Sequence, residues 1–112
     1  MTRTLRLTLI TSLLASLLFA AAPVPRAHAA SITVNTTTDE LNADGDCSLR
    51  EAIRAANADA AVDACTAGSG ADTITVPVGT YTLTIANPGG VGEDLAATGD
   101  LDLTSNITIN GA

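Results

Sequence analysis

Between Ala30 and Ala112 the sequence contains no lysine and no histidine, and Tyr81 is its only aromatic residue. Each absence excludes a class of chemistry. With no histidine and only two cysteines, Cys47 and Cys65, a zinc site lacks ligands. No lysine or histidine is present to activate Ser48 as a nucleophile or to complete an acid–base pair with a carboxylate. Two arginines, Arg50 and Arg54, stand against twelve acidic residues, so this stretch carries a net charge of −10. Phosphate binding needs clustered Lys and Arg, so nucleic acid is not an expected partner. An acidic polysaccharide is disfavoured too, unless a cation bridges it, and the charge fits a soluble acidic surface. One aromatic residue makes for a thin core, and short chains of this kind often need a staple.

The first thirty residues read as an export signal. Arg3 and Arg6 precede the apolar run Leu7 to Ala22, and Ala27-His28-Ala29 has the small-x-small form cut by signal peptidase. A retained membrane anchor needs about 20 apolar residues; here Pro23, Pro25 and Arg26 end the run after 16. The expected organisation is a signal over 1–29 and a single domain over 30–112, which is 83 residues long. No other stretch could span a bilayer, so the expected destination is secretion or the cell surface. In an oxidising compartment Cys47 and Cys65, 18 positions apart, are expected to form a disulfide. Its chain-entropy contribution is about 3 kcal/mol. Free thiols or a metal pair are the competing reading.

The densest signal is Cys47-Ser-Leu-Arg-Glu-Ala-Ile53. Ser48 and Glu51 have the spacing of a capping box, which predicts a helix starting at Leu49. Leu49, Ala52, Ile53 and Ala56 recur at i, i+3, i+4 and i+7 and form one apolar stripe, which places Arg50, Glu51 and Arg54 on the solvated side. Asn57 is the expected stop. So short a helix needs a surface to dock on.

Around it lie alternating runs typical of strands: Ser31 to Thr36 with Ile32 and Val34 on one face, and Asp72 to Val78 with Ile74 and Val76 inward. Thr80 to Ile85 follows, with Tyr81, Leu83 and Ile85 sharing a parity, and Pro77-Val78-Gly79 bends the chain before it. Leu101-Asp102-Leu103 and Ile107-Thr108-Ile109 end the sequence as short strands. Ala58 to Gly70 and Asn87 to Gly92 are loops. Several short strands between turns suit a sandwich, a barrel or a β-helix, and their lengths do not separate these.

The sequence resembles the CSLREA-domain proteins. Cys47 to Ala52 reproduces the signature hexapeptide. Asp44-Gly45-Asp46, Ala56-Asn57, Gly79 to Leu83, Gly99 to Leu103 and Ile107 to Gly111 extend the likeness over about Ser31 to Ala112. Such domains sit at the amino end of secreted or surface bacterial proteins and usually lead into a right-handed parallel β-helix. The resemblance therefore implies a mainly β fold, the start of such a β-helix, with one short N-terminal capping α-helix and downstream coils of the same protein as partner. Stacked coils need about three repeats, and a strand at Ile107 to Ile109 leaves an open edge. Ala112 is thus expected to fall short of the natural end.

Three functional readings follow. The first is a non-catalytic exported domain serving adhesion or surface structure, its cell-surface or carbohydrate ligand undefined and no cofactor required. The second is the leader of a β-helix polysaccharide lyase or glycoside hydrolase whose catalytic part lies elsewhere. The third is a calcium-dependent surface module. Glu40, Asn42, Asp44, Gly45 and Glu51 match positions of a calcium loop, yet Glu51 belongs to the capping box and no helix precedes Glu40. That leaves an irregular site on Asn42, Asp44 and Asp46. Asp100 and Asp102 point the same way along a strand, but alternation with Leu101 and Leu103 puts the aspartates in solvent. The sequons at Asn35 and Asn106 matter only in a eukaryotic secretory pathway.

Overall fold

The computed structural model describes residues 28–90 and 92–112. All of the expected export segment except His28 and Ala29 lies outside the described residues. The elements run β1 (Ser31–Thr33), α1 (Leu49–Ala58), β2 (Asp72–Val76) and β3 (Ile107–Gly111). The strands form one parallel sheet in chain order. Ile32 lies opposite Ile74, and Ile74 opposite Ile109. Two parallel neighbours need a crossover, and α1 supplies the one between β1 and β2, packing against both strands.

Alternation along the strands selects the core. Ile32 and Val34 are buried while Ser31 and Thr33 are exposed; Asp72 and Ile74 occupy the same buried face of β2. The core is made of Ile32, Val34, Ile53 and Ile74, the alanines Ala52, Ala55 and Ala56, the Cys47–Cys65 pair, and Ala96 from a distant loop. Methyl groups on α1 allow close approach to the sheet. At Gly68 there is no room even for a methyl. A Cβ there would lie 2.7 Å from the Ala55 carbonyl oxygen and 2.8 Å from the Ala56 Cα.

The expected mainly β fold opening a parallel β-helix is not what forms. The strands have 3, 5 and 5 residues and the helix 10, so loops hold most of the described chain. The two crossovers are dissimilar, one helical and one irregular, so no coil repeats and there is no solenoid for α1 to cap. The reason lies in where the backbone groups go. Strand pairing over Thr80–Ile85 would need its N–H groups, but those of Thr84 and Ile85 donate to Asp39 Oδ2 at 2.6 and 2.9 Å. Over Leu101–Leu103, the Asp102 carbonyl accepts from Asn57 Nδ2 at 2.7 Å and the Asp100 carbonyl from Arg50 Nη1 at 3.1 Å. Side chains of α1 and its approach loop thus take up groups that a sheet ladder would use.

The same contacts correct the helix pattern. Arg50 and Glu51, placed in solvent by periodicity, are fully buried, as is Ala55, while Leu49 is only partly covered. The 96–105 segment lies over the side assigned to water, bound through Arg50 and through Asn57, whose Oδ1 accepts from the Thr104 N–H at 2.9 Å. Asn57 does not end the helix. Asp59, in a left-handed conformation at φ 49°, caps it. Leucines expected inward on the absent strands are partly in solvent, Leu83 at 46% and Leu103 at 54% exposure.

Candidate functional site

The most heavily bonded group is the Arg50 guanidinium. It forms a bidentate pair with Asp39, Nε to Oδ1 at 2.6 Å and Nη2 to Oδ2 at 3.1 Å. Nη1 donates to the Ala96 and Asp100 carbonyls, each at 3.1 Å, and Nη2 to the Gly99 carbonyl at 2.8 Å. Those contacts use all five N–H donors that a guanidinium has. Asp39 is equally engaged, since it also receives the N–H groups of Thr84 and Ile85. Burial pushes the Asp39 carboxyl up, but Arg50 and those two backbone donors outweigh it and hold the group below the usual carboxylate value. The pair therefore joins α1, the 35–46 loop, the 81–85 segment and the 96–100 loop.

The start of α1 is tied as tightly. Ser48 Oγ accepts from the Glu51 N–H at 3.2 Å and donates to the Glu40 carbonyl at 3.0 Å. Glu51 Oε2 accepts from the Ser48 N–H at 3.0 Å, and Oε1 from the Asn42 N–H at 3.1 Å. The capping box is complete and anchors the preceding loop as well. Immediately before it, Cys47 exchanges two hydrogen bonds with Asn35, 2.7 Å to Oδ1 and 3.0 Å from the Asn35 N–H to the Cys47 carbonyl. The Cys47–Cys65 disulfide closes the far side, with Cα atoms 4.9 Å apart. Both cysteines are buried.

An acidic cluster sits beside the cap. Glu40, Asp44 and Asp46 bring one carboxylate oxygen each within 4.8 Å of one another, and Asp46, Glu51 and Asp63 do the same. Partial desolvation and the Asp44 and Asp46 charges push Glu40 up; desolvation and the Asp44 and Glu51 charges push Asp46 up. Asp46 Oδ1 is buried and accepts no hydrogen bond. Oxygens so arranged could serve a hard cation such as calcium. Of the residues picked from sequence, Asp44 and Asp46 belong to the cluster. Glu40 joins them, and Asn42 beside it donates its Nδ2 to Glu40 Oε2 at 3.0 Å. Asp63 was not legible: it lies 18 and 19 positions from the backbone N–H groups of Gly45 and Asp44 that its Oδ2 receives, at 2.9 and 3.2 Å.

Asp100 and Asp102 do not form a paired acid site. Asp100 is exposed, whereas Asp102 turns inward to accept the Ala96 N–H at 3.3 Å. Beside the end of α1 a cleft of about 210 Å³ is lined by Arg54, Asn57, Ala58, Asp94, Leu95 and Thr104. Its lining holds one cation, Arg54, and one carboxylate, Asp94. Sequence reading missed Arg50 and Asp39 as a pair; the available signal was that one of only two arginines between Ala30 and Ala112 sits within the hexapeptide of an acidic stretch. Among the described residues no helix is long and apolar enough to cross a membrane. Compared with known proteins, the chain matches no family model, no curated protein and no solved structure.

Proposed function

We propose that residues 30–112 form a non-catalytic, exported structural domain of the CSLREA type, belonging to a secreted or cell-surface protein and serving adhesion or surface architecture. The observation that carries this reading is that the fold itself uses the charged side chains around the start of α1. Arg50 has no donor left, Asp39 and Glu51 hold backbone loops in place, and the disulfide secures the helix entry. A reacting group needs a free lone pair or proton beside a substrate, and this constellation offers none. A buried disulfide in a chain of this size suits an oxidising compartment.

Expression of the full chain in a bacterial host tests the proposal. The expected product is exported, lacks the leader, has no free thiol before reduction, and neither cleaves nor depolymerises neutral and acidic polysaccharides. A reduced product retained in the cytosol, or turnover of any of those polysaccharides, would overturn it.

A second reading is favoured by one feature, the Glu40–Asp44–Asp46 grouping with the unbonded Asp46 Oδ1. On that reading the loop takes up calcium and stiffens a surface-binding face. Isothermal titration with calcium to millimolar concentration decides it, heat uptake or release at one site supporting calcium and a flat titration removing it.

A further inference from the structure

Asp72 is the buried charge the fold leaves incompletely satisfied. It is 1% exposed on the core face of β2. Oδ1 accepts from the Ser69 and Ala30 backbone N–H groups, both at 2.9 Å, while Oδ2 accepts no hydrogen bond. Oδ2 lies over Gly68, where a Cβ would come within 2.5 Å of it. Among the described residues the only ion pair is Arg50–Asp39, so none of their cations balances Asp72. A buried carboxylate with one orphan oxygen is costly.

The donor at Ala30 has a particular place in the chain. Ala27-His28-Ala29 is the cleavage motif, so Ala30 would be the first residue of the exported product. The sheet begins at the same point: the Ala30 carbonyl accepts from the Thr73 N–H at 2.9 Å, whereas His28 and Ala29 are exposed. Motif and fold boundary coincide, and the backbone fixes the Ala30 nitrogen against Asp72.

We infer that Asp72 is a receptor for the α-ammonium group created when the leader is cut off between Ala29 and Ala30. Hydrolysis of that peptide bond consumes one water, leaves a carboxylate on Ala29 and turns the Ala30 amide nitrogen into an ammonium. One N–H donor becomes three and a positive charge appears beside the buried carboxylate, so that a small rotation lets the same nitrogen reach Oδ2. The exported chain thereby gains an ion pair that the described residues do not otherwise supply, and the processed form is the more stable. The inference rests on the export reading proposed above.

The absence of lysine from the whole sequence makes the test direct, because the processed chain then has a single amine. The full chain is exported from a bacterial host, the amino terminus of the product is read by mass spectrometry, and its reaction with acetic anhydride is followed from pH 6 to 11. A free α-amine titrates near 7.7–8.0. In the folded product the midpoint is expected above 9, with labelling at pH 8 about tenfold slower than in the same protein unfolded in urea. Mere burial would move the midpoint down, because it disfavours the charged form. Asp72→Asn should return the midpoint to the free value and, like Nα-acetylation of the wild-type product, lower the melting temperature; the wild-type titration decides the matter if that variant does not fold. An exported chain beginning at Ala30 whose amine titrates at or below the free value overturns the inference and leaves export intact. A product exported but cut elsewhere does the same, whereas an uncut, retained chain overturns both.

Discussion

Arg50 and Asp39 carry more of this structure than any hydrophobic pair, because each bond they make holds a segment with no secondary structure of its own. Replacing Arg50 leaves Asp39 buried beside four segments with its charge uncompensated, and breaking a buried pair in this way costs about 3–5 kcal/mol. Arg50→Met should therefore abolish most of the stability measurable by urea denaturation at pH 7, and Arg50→Lys should not rescue it, since an ammonium has three donors and lacks the planar fork. Equal midpoints for wild type and Arg50→Lys would show that the charge alone matters. From sequence, Arg50 was legible only as a polar position on a helix. Its burial follows from the 96–105 segment folding over α1 from nearly 50 residues away, which helical periodicity has no means of registering.

The elements themselves were partly legible, and the division is physical. The capping box and the Ile32 and Ile74 alternation are local patterns, and α1, β1 and β2 stand where those patterns lie. The Thr80–Ile85 and Leu101–Leu103 runs carry the same alternation but form no strand, because distant side chains claim their backbone groups. Alternation reports a face that could be buried, not a partner. Coverage also sets what each strand contributes. Ile74 is fully buried under α1, whereas Ile109, its neighbour on the same face, is 45% exposed. Ile74→Ala should cost about 2–5 kcal/mol, as for a buried isoleucine, and Ile109→Ala well under half of that; chemical denaturation of the two variants side by side measures the difference. Comparable losses would mean that β3 is covered in solution by something further. The staple belongs to this scale too. Cys47→Ala with Cys65→Ala opens a loop of 18 residues and should remove about 3 kcal/mol, an effect absent when the wild type is compared with the double variant under reducing conditions.

At the scale of the whole molecule, a chain with so little cationic charge has stability set by when its carboxylates take up protons. Two pairs of carboxylates pull in opposite directions. Asp39 is held below its ordinary value by Arg50 and by the Ile85 and Thr84 N–H groups, and Glu93 by the backbone N–H groups of Thr98, Ala97 and Leu95. A depressed folded value means that their contribution is complete above the unfolded values of about 4 and is lost as pH falls through the lower folded ones. Glu40 and Asp46 are raised by desolvation and by each other's acidic neighbours, so their ionised forms work against the fold at neutral pH. Protonation relieves that opposition as pH drops through their raised values toward the unfolded ones. Stability should therefore rise from pH 7 to a maximum near the upper edge of the carboxylate range, then fall steeply at lower pH. Melting temperatures collected from pH 7 to 2.5 at low salt give the curve, and Asp46→Asn should flatten the rising part while Asp39→Asn removes part of the fall. If the acidic loop takes calcium, millimolar calcium at pH 7 offsets the same repulsion, lifts the melting temperature there and has less effect in acid, where protons compete for Glu40 and Asp46. A monotonic decline from pH 7 downward, unchanged by Asp46→Asn, would show that the cluster exerts no strain and that the charges around the cap are fully screened by water.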